Sequence, residues 1–341
     1  MAGVSRYEPV DSPDATTIFP YHDLTPPEPG DVYEAREVVS RYLPRTPLVR
    51  SEALSAETGA DVYFKREDTL PTGAFKVRGG VTLGHRLSEE FREAGLVAAS
   101  TGNHGQSVAY AGREFGVPVT IAVPSDPNPE KVAAMERFGA EVVATGADYD
   151  EAREWAERRA AEDGLRYVHS ANEPDLVAGV ATAGLEVLET LPEVDRVVCP
   201  IGGGSGAAGY CLTTGAIGGA EVVGVQSAAA DATYRAYHEG HLDPAESATT
   251  EAEGISSRAP FALTVGILRD RLDDLVTVPE AAIWDGVRDV LAADRILIEG
   301  ACAAAVAAVR SMDDVAGETV VVPTTGRNLS TEKLRRAVDP E

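Results

Sequence analysis

From Leu96 to Val225 the chain alternates short apolar runs with amphipathic stretches, and that alternation leaves few architectures open. Leu96–Ala99 reads as a strand running into Ser100-Thr-Gly-Asn-His-Gly105. The next stretch carries Val108, Ala111 and Phe115 on one helical face and closes at Gly116, before Pro118. Val119–Val123 is the following strand. Asn128 then fits a helix N-cap, with Pro129 at the first helical position and Gly139 as the stop. Glu141–Ala144 is a strand, and Asp148-x-x-Glu151 is a capping box for a helix reaching toward Gly164. Tyr167-Val168 is a short strand. A second series follows, with a helix over Pro174–Glu189, a strand over Arg196–Cys199, a helix from Gly206 and a strand over Glu221–Val225. Strands alternating with helices build βαβ units and mostly parallel sheets. Two such series predict an α/β chain of two lobes with a cleft between them, where ligands bind beyond the carboxyl ends of the strands.

The flanks are less regular. Residues 1–30 are rich in Pro, Asp and Thr and read as an extended arm. Val32, Ala35, Val38 and Val39 fit a short helix over Asp31–Arg41, and Thr46–Val49 and Val62–Lys65 look like strands. Residues 240–260 are acidic and loop-like. Helices around Trp284–Ala293 and Cys302–Arg310 precede a last strand, Thr319–Val322.

Charge excludes some partners. Lys and Arg total 30 against 55 Asp and Glu, a net charge of −25, which argues against nucleic acid and anionic membrane surfaces. The acidic residues are spread along the chain, as suits a protein of a halophilic source whose surface repulsion is screened by salt. Cys199, Cys211 and Cys302 sit in apolar or alanine-rich surroundings without CxxC spacing, which fits buried thiols in a reducing, cytoplasmic setting. The first residues lack the apolar core of a signal peptide, and no apolar run reaches membrane-spanning length.

Four stretches carry chemistry. In Pro71-Thr-Gly-Ala-Phe-Lys-Val-Arg-Gly-Gly80, Lys76 stands among apolar residues, which disfavour its ammonium form and make its amine a nucleophile able to form a Schiff base with an aldehyde. Alone, the decapeptide fits an ordinary surface lysine as well. Ser100–Gly105 joins a strand to a helix, so its N–H groups can hold an anion such as a carboxylate. Gly202-Gly-Gly-Ser-Gly206 occupies the next such junction, where glycines let the backbone approach a phosphate and Ser205 adds a hydroxyl. No Lys-Ser/Thr follows, as a Walker loop would require, and Val222–Gln226 offers no acid for a ribose, so a single phosphate on a small cofactor fits better. Thr325, in Pro323-Thr-Thr-Gly-Arg-Asn-Leu-Ser330 after the last strand, can offer a hydroxyl to a ring nitrogen or serve as a turn residue. Lysine, carboxylate loop, phosphate cup and hydroxyl together meet the needs of pyridoxal phosphate acting on an amino acid.

In order and spacing these segments resemble the fold-type II pyridoxal phosphate enzymes, and most closely the threonine ammonia-lyase (threonine dehydratase) and serine racemase-like branch, from about Arg41 to Leu334. Glu299-Gly-Ala is similar to a late acidic signature of that family, and Thr324-Thr-Gly-Arg-Asn to its terminal loop. The resemblance implies a tryptophan synthase β-like fold, with residues 1–88 and 166–341 as a large cofactor domain and 89–165 as a smaller inserted one. It implies Lys76 as the Schiff-base lysine and the base for the α-proton, with Phe75 beside the ring. Asn103 would meet the phenolic oxygen, Gly202, Gly203, Gly204, Ser205 and Gly206 the phosphate, and Thr325 the pyridine nitrogen. Ser100, Thr101, Gly102, Asn103 and His104 would hold the substrate carboxylate.

The implied reaction is β-elimination of L-threonine and L-serine to a 2-oxo acid and ammonia, with racemisation or lysis of another β-hydroxy amino acid, such as 3-hydroxyaspartate, as alternatives. A homodimer is also implied. The sequence departs from the family at Thr325, where Ser or Cys is usual, and at Arg327, where a glycine is usual. Gln226 replaces a metal-binding Glu of the racemases, so no conventional metal site is expected, and Thr101 stands where racemases carry a serine base. A regulatory domain like that of biosynthetic dehydratases is not expected after Thr325.

Overall fold

The computed structural model describes residues 24–339 except 241 and 246, so residues 1–23 of the arm expected over 1–30 lie outside the described residues, while Pro29 and Gly30 already belong to the first helix. Among the described residues, ten strands form two sheets. They are β1 (Leu48–Arg50), β2 (Asp61–Lys65), β3 (Leu96–Ala99), β4 (Val119–Val123), β5 (Glu141–Ala144), β6 (Arg166–Tyr167), β7 (Arg196–Pro200), β8 (Glu221–Ser227), β9 (Asp274–Val278) and β10 (Thr319–Pro323). The larger sheet runs β1-β2-β10-β7-β8-β9 and the smaller β5-β4-β3-β6. All pairs are parallel except β1 with β2.

The central strands carry buried apolar runs, as parallel strands covered on both faces must. Every residue of β3 and β7 is buried, and so are the last four of β10. Against one face of the larger sheet lies the helix Gly300–Ser311, whose residues from Gly300 to Val309 are all buried. Its small side chains join Val198, Val225, Val320 and Val322 in the largest core cluster. The smaller sheet has its own core, with Ile121, Val108 and Met135 on one side and Tyr167, Ala152 and Ala156 on the other.

Local chemistry explains most element ends. Asn128 Oδ1 accepts from Glu130 N at 2.9 Å, and Pro129 begins the helix Pro129–Glu136 as expected, although Gly139 lies three residues beyond its end. The helix Tyr149–Asp163 is capped by Asp148, whose Oδ1 accepts from Glu151 N at 3.0 Å. The second half of that capping box differs from the pattern: Glu151 reaches the N–H of Ala147 rather than that of Asp148. The first helix spans Pro29–Tyr42, two residues earlier than its apolar spacing indicated, because Glu28 and Asp31 close a capping box around Pro29.

Strand β6 belongs to the smaller sheet, paired with β3, so that sheet extends two residues past position 165. Strand β9 and the helices Val77–Arg86 and Ala262–Arg271 were not anticipated from the sequence. All three cysteines are free and buried. Among the described residues no helix is long and apolar enough to cross a membrane.

Candidate active site

The loops that follow β3, β6, β7 and β10 at their carboxyl ends open onto one cleft of about 1150 Å³. It is lined by Lys76, Ser100–His104, Gly202–Gly206 and Thr325 together, so the predicted residues do converge. Lys76 stands just before the helix Val77–Arg86. Its Nζ donates to Ser170 O and to Ser205 Oγ, both at 2.8 Å. Burial pulls its pKa down to about 8, because little nearby favours the charged form. The Phe75 ring lies 5.5 Å from the ammonium.

The lysine segment is stitched to the terminal loop. Phe75 N donates to Thr325 O at 3.0 Å, Arg327 N donates to Gly73 O at 3.0 Å, and Ala74 bridges Gly326. Thr325 is thereby held beside Lys76. Its hydroxyl is buried without a hydrogen-bond partner.

The glycine loop after β7 is shaped by its neighbours. Gly204 has φ +85°, a left-handed conformation that favours glycine. A Cβ on Gly202 would lie 2.2 Å from Gly254 O, inside the backbone of the opposing loop. Thr264 Oγ1 donates to Gly203 O at 2.7 Å and fixes the turn.

The loop after β3 is held by Ser100, whose Oγ accepts from Gly102 N at 3.2 Å and Gly105 N at 2.9 Å. Asn103 and His104 open the helix Asn103–Phe115, so their N–H groups have no intrahelical acceptor and remain available to an anion. Thr101 is exposed at the cleft mouth. His104 Nε2 donates to Val168 O at 2.9 Å, and its Nδ1 is buried without a partner. Burial and the neighbouring Lys76 push its pKa down to about 3, so the ring stays neutral and offers a carboxylate no charge.

Asn103 sits in a relay that motif spacing did not reveal. Its Nδ2 donates to Glu299 Oε1 at 2.8 Å, and its Oδ1 accepts from Asn328 Nδ2 at 2.6 Å. Asn328 Nδ2 also donates to Thr72 O at 2.9 Å. These bonds fix which way the Asn103 amide faces. Burial raises the pKa of Glu299. Ser170 was also missed, although it follows β6 as the glycine loop follows β7. Gln226 is committed to the backbone: Nε2 donates to Ile201 O at 3.1 Å and Oε1 accepts from Tyr234 N at 2.7 Å.

Below the lysine helix lies a buried ionic group. Arg78 contacts Glu67 at 2.7 Å and Glu186 at 2.9 Å, and Lys65 contacts Glu186 at 2.6 Å. The pairing outweighs burial at Glu186, whose pKa falls to about 2.

The sequence profile of a family described as "Pyridoxal-phosphate dependent enzyme" matches residues 39–326. The chain belongs to that family. An L-threonine ammonia-lyase of Thermotoga maritima is 36% identical over 310 residues, 91% of this chain and 77% of that protein. An L-threo-3-hydroxyaspartate ammonia-lyase of Saccharomyces cerevisiae is 30% identical over 310 residues, 90% of this chain and 95% of that protein. The solved structure of the processed form of threonine deaminase isoform 2 from Solanum lycopersicum matches with a TM-score of 0.86 at 28% identity, covering 92% of this chain and 89% of that one.

The α/β fold of mainly parallel sheets is that of fold-type II enzymes, and pyridoxal phosphate is the family's cofactor. The residues present fit it. The cleft supplies a lysine amine with a lowered pKa, a glycine loop at a strand end, and an unpartnered buried hydroxyl at Thr325.

Proposed function

We propose that this enzyme is an ammonia-lyase that acts on L-threonine, and on L-serine, by eliminating the β-hydroxyl as water; the resulting enamine tautomerises to an imine that takes up water again, so that the net products are a 2-oxo acid and ammonia. One observation carries the reading: the Lys76 amine, with a pKa of about 8, shares one cleft with the Ser100–His104 loop and the glycine loop. Bound pyridoxal phosphate supplies the electron sink for bond breaking at the substrate α-carbon. Lys76 Nζ is the base that takes the α-proton, since a pKa near the working pH makes it both free and strong enough.

Ser205 Oγ and Ser170 O hold that amine in place between proton transfers. The N–H groups that open the helix at Asn103 bind the substrate carboxylate, with Ser100 holding the loop's shape and Thr101 and Gly102 at its rim. Gly202–Gly206 would hold the cofactor phosphate, with Thr325 on the side of its ring nitrogen and Phe75 beside the ring, all of them lining the same cleft. Asn103, aimed by Glu299 and Asn328, would donate to the cofactor's phenolic oxygen.

An uncharged substrate side chain is favoured over a second carboxylate. Among the described residues, the cations lining the cleft apart from Lys76 are Lys131, Arg153, Arg258 and Lys333. Each is already paired, Lys131 and Lys333 with Glu253, Arg153 with Glu157 and Arg258 with Asp150. A panel of L-threonine, L-serine and L-threo-3-hydroxyaspartate, scored for ammonia release and for the handedness of unreacted substrate in high salt, tests the reading. Racemised substrate without ammonia, or release from hydroxyaspartate alone, would sink it.

The two sheets fit a large domain and a smaller inserted one, the latter extending through β6. The diffuse acidic charge and the buried free thiols support a cytoplasmic protein from a high-salt cell, and the family resemblance supports a homodimer. Light scattering across a salt series checks both the dimer and its salt requirement.

A further inference from the structure

Tyr210 ends the helix Ser205–Tyr210 that begins in the glycine loop, where the backbone passes into a π-turn over Cys211–Gly215. Such turns recur beside functional sites. The Tyr210 side chain is buried, and its hydroxyl has no hydrogen-bond partner. The same is true of Thr325 Oγ1. Both residues line one small cavity of about 10 Å³, bordered also by Phe75, Gly206 and Glu67. Thr325 and Phe75 line the main cleft as well, so Thr325 stands between the cavity and the cleft.

Buried hydroxyls are rarely left unmatched, and a space of about 10–15 Å³ holds one water. Glu67, the carboxylate on the cavity wall, is engaged by Arg78 and Thr46.

We infer that one ordered water fills this cavity and joins Tyr210 Oη to Thr325 Oγ1, making Tyr210 a positioning residue for the cofactor's ring nitrogen. A threonine hydroxyl has one hydrogen and two lone pairs. Burial keeps the Tyr210 phenol protonated, so it donates to the water, and the water donates to Thr325. Thr325 then has its single hydrogen left for the cleft side, where the ring nitrogen accepts it and stays unprotonated. The inference rests on the reading of Thr325 as the partner of that nitrogen.

The test uses the holoenzyme and the Tyr210→Phe variant. A crystal structure of the wild-type holoenzyme at atomic resolution is expected to show a water about 2.7–3.2 Å from both hydroxyls. With ¹⁵N-labelled cofactor, Tyr210→Phe is expected to move the ring-nitrogen resonance toward its protonated position, while Thr213→Ser, on the π-turn behind it, leaves the resonance in place. A cavity without water, a water touching one hydroxyl only, or an unmoved resonance in Tyr210→Phe overturns the inference. A wild-type structure in which Thr325 makes no contact with the ring nitrogen overturns the underlying reading as well. Should Tyr210→Phe not fold, the wild-type water decides the matter.

Discussion

Replacing Lys76 with methionine should make the cofactor-free protein more stable at pH 7, and the gain should vanish as pH rises. Burial lowers the lysine pKa from 10.5 to about 8. At about 1.4 kcal/mol for each tenfold change in proton affinity, holding the ammonium form in the folded cleft costs up to roughly 3 kcal/mol. Solvent reaching Lys76 from the cleft screens part of this, so that figure is an upper bound. Below pH 8 both folded and unfolded chains carry the charge and the penalty is complete. Between about 8 and 10.5 the unfolded chain binds the extra proton, so wild-type stability climbs with pH. Above 10.5 the penalty is gone, and the methionine variant keeps only its loss of the bonds to Ser170 and Ser205.

Urea unfolding of the cofactor-free wild type and Lys76→Met at several pH values between 7 and 10.5 measures the difference directly. Lys131, whose pKa also falls to about 8, is present in both proteins and cancels. The two stability curves should converge by about 2–3 kcal/mol across the window. Parallel curves would show that the amine is not desolvated, and with that the argument for Lys76 as a base near neutral pH would fail.

Arg78→Leu should cost about 3–5 kcal/mol in guanidinium unfolding, because Glu67 and Glu186 lose their shared cation inside the core; a loss below about 1 kcal/mol would contradict the ionic description. Glu186→Gln should narrow its stability deficit on acidification, since Glu186 titrates at about 2 against a usual 4.5. Its contribution is present above that usual value and lost as pH falls toward 2, which acid unfolding followed by circular dichroism will show. Gly202→Ala should weaken cofactor binding at least about tenfold by forcing the loop away from Gly254 O, with thermal unfolding of the cofactor-free protein shifting far less. Equilibrium dialysis against the cofactor measures the first quantity.

Much of the fold was legible because strands such as β3, β7 and β10 contain apolar runs, Leu96–Ala99, Val197–Cys199 and Val320–Val322, that stand out from the amphipathic stretches between them. The helix Val77–Arg86 was not, because Gly79, Gly80 and Gly84 give it low intrinsic helix propensity. Packing explains them: a Cβ on Gly80 would meet Ser107 Oγ at 2.4 Å, and one on Gly84 would meet Phe115 at 2.6 Å. The helix crosses Asn103–Phe115 too closely for side chains, and tertiary contact overrides the low helix propensity of glycine. Strand β9 was hidden by its exposed first residue and by the irregular acidic loop upstream.

In the site, Lys76 and the glycine loop were readable because their chemistry is local. The Asn103 relay was not, since its partners lie 196 and 225 positions away and neither belongs to a repeating pattern. His104 looked like a donor for a carboxylate, and only its burial against Val168 reveals a neutral ring.

The position of β10 sets the order in which this enzyme can come into being. It is the last strand in the chain, yet it lies between β2 and β7, and Thr325 follows it directly onto the segment that carries Lys76. A ribosome makes Lys76 early, but β2 keeps an open edge, and the lysine has no hydroxyl beside it, until residues 319–325 have emerged. An open apolar edge in a half-made chain invites pairing with other chains. Synthesis that stops short of β10 should therefore leave no weakened enzyme, only an unclosed sheet and a lysine without its site.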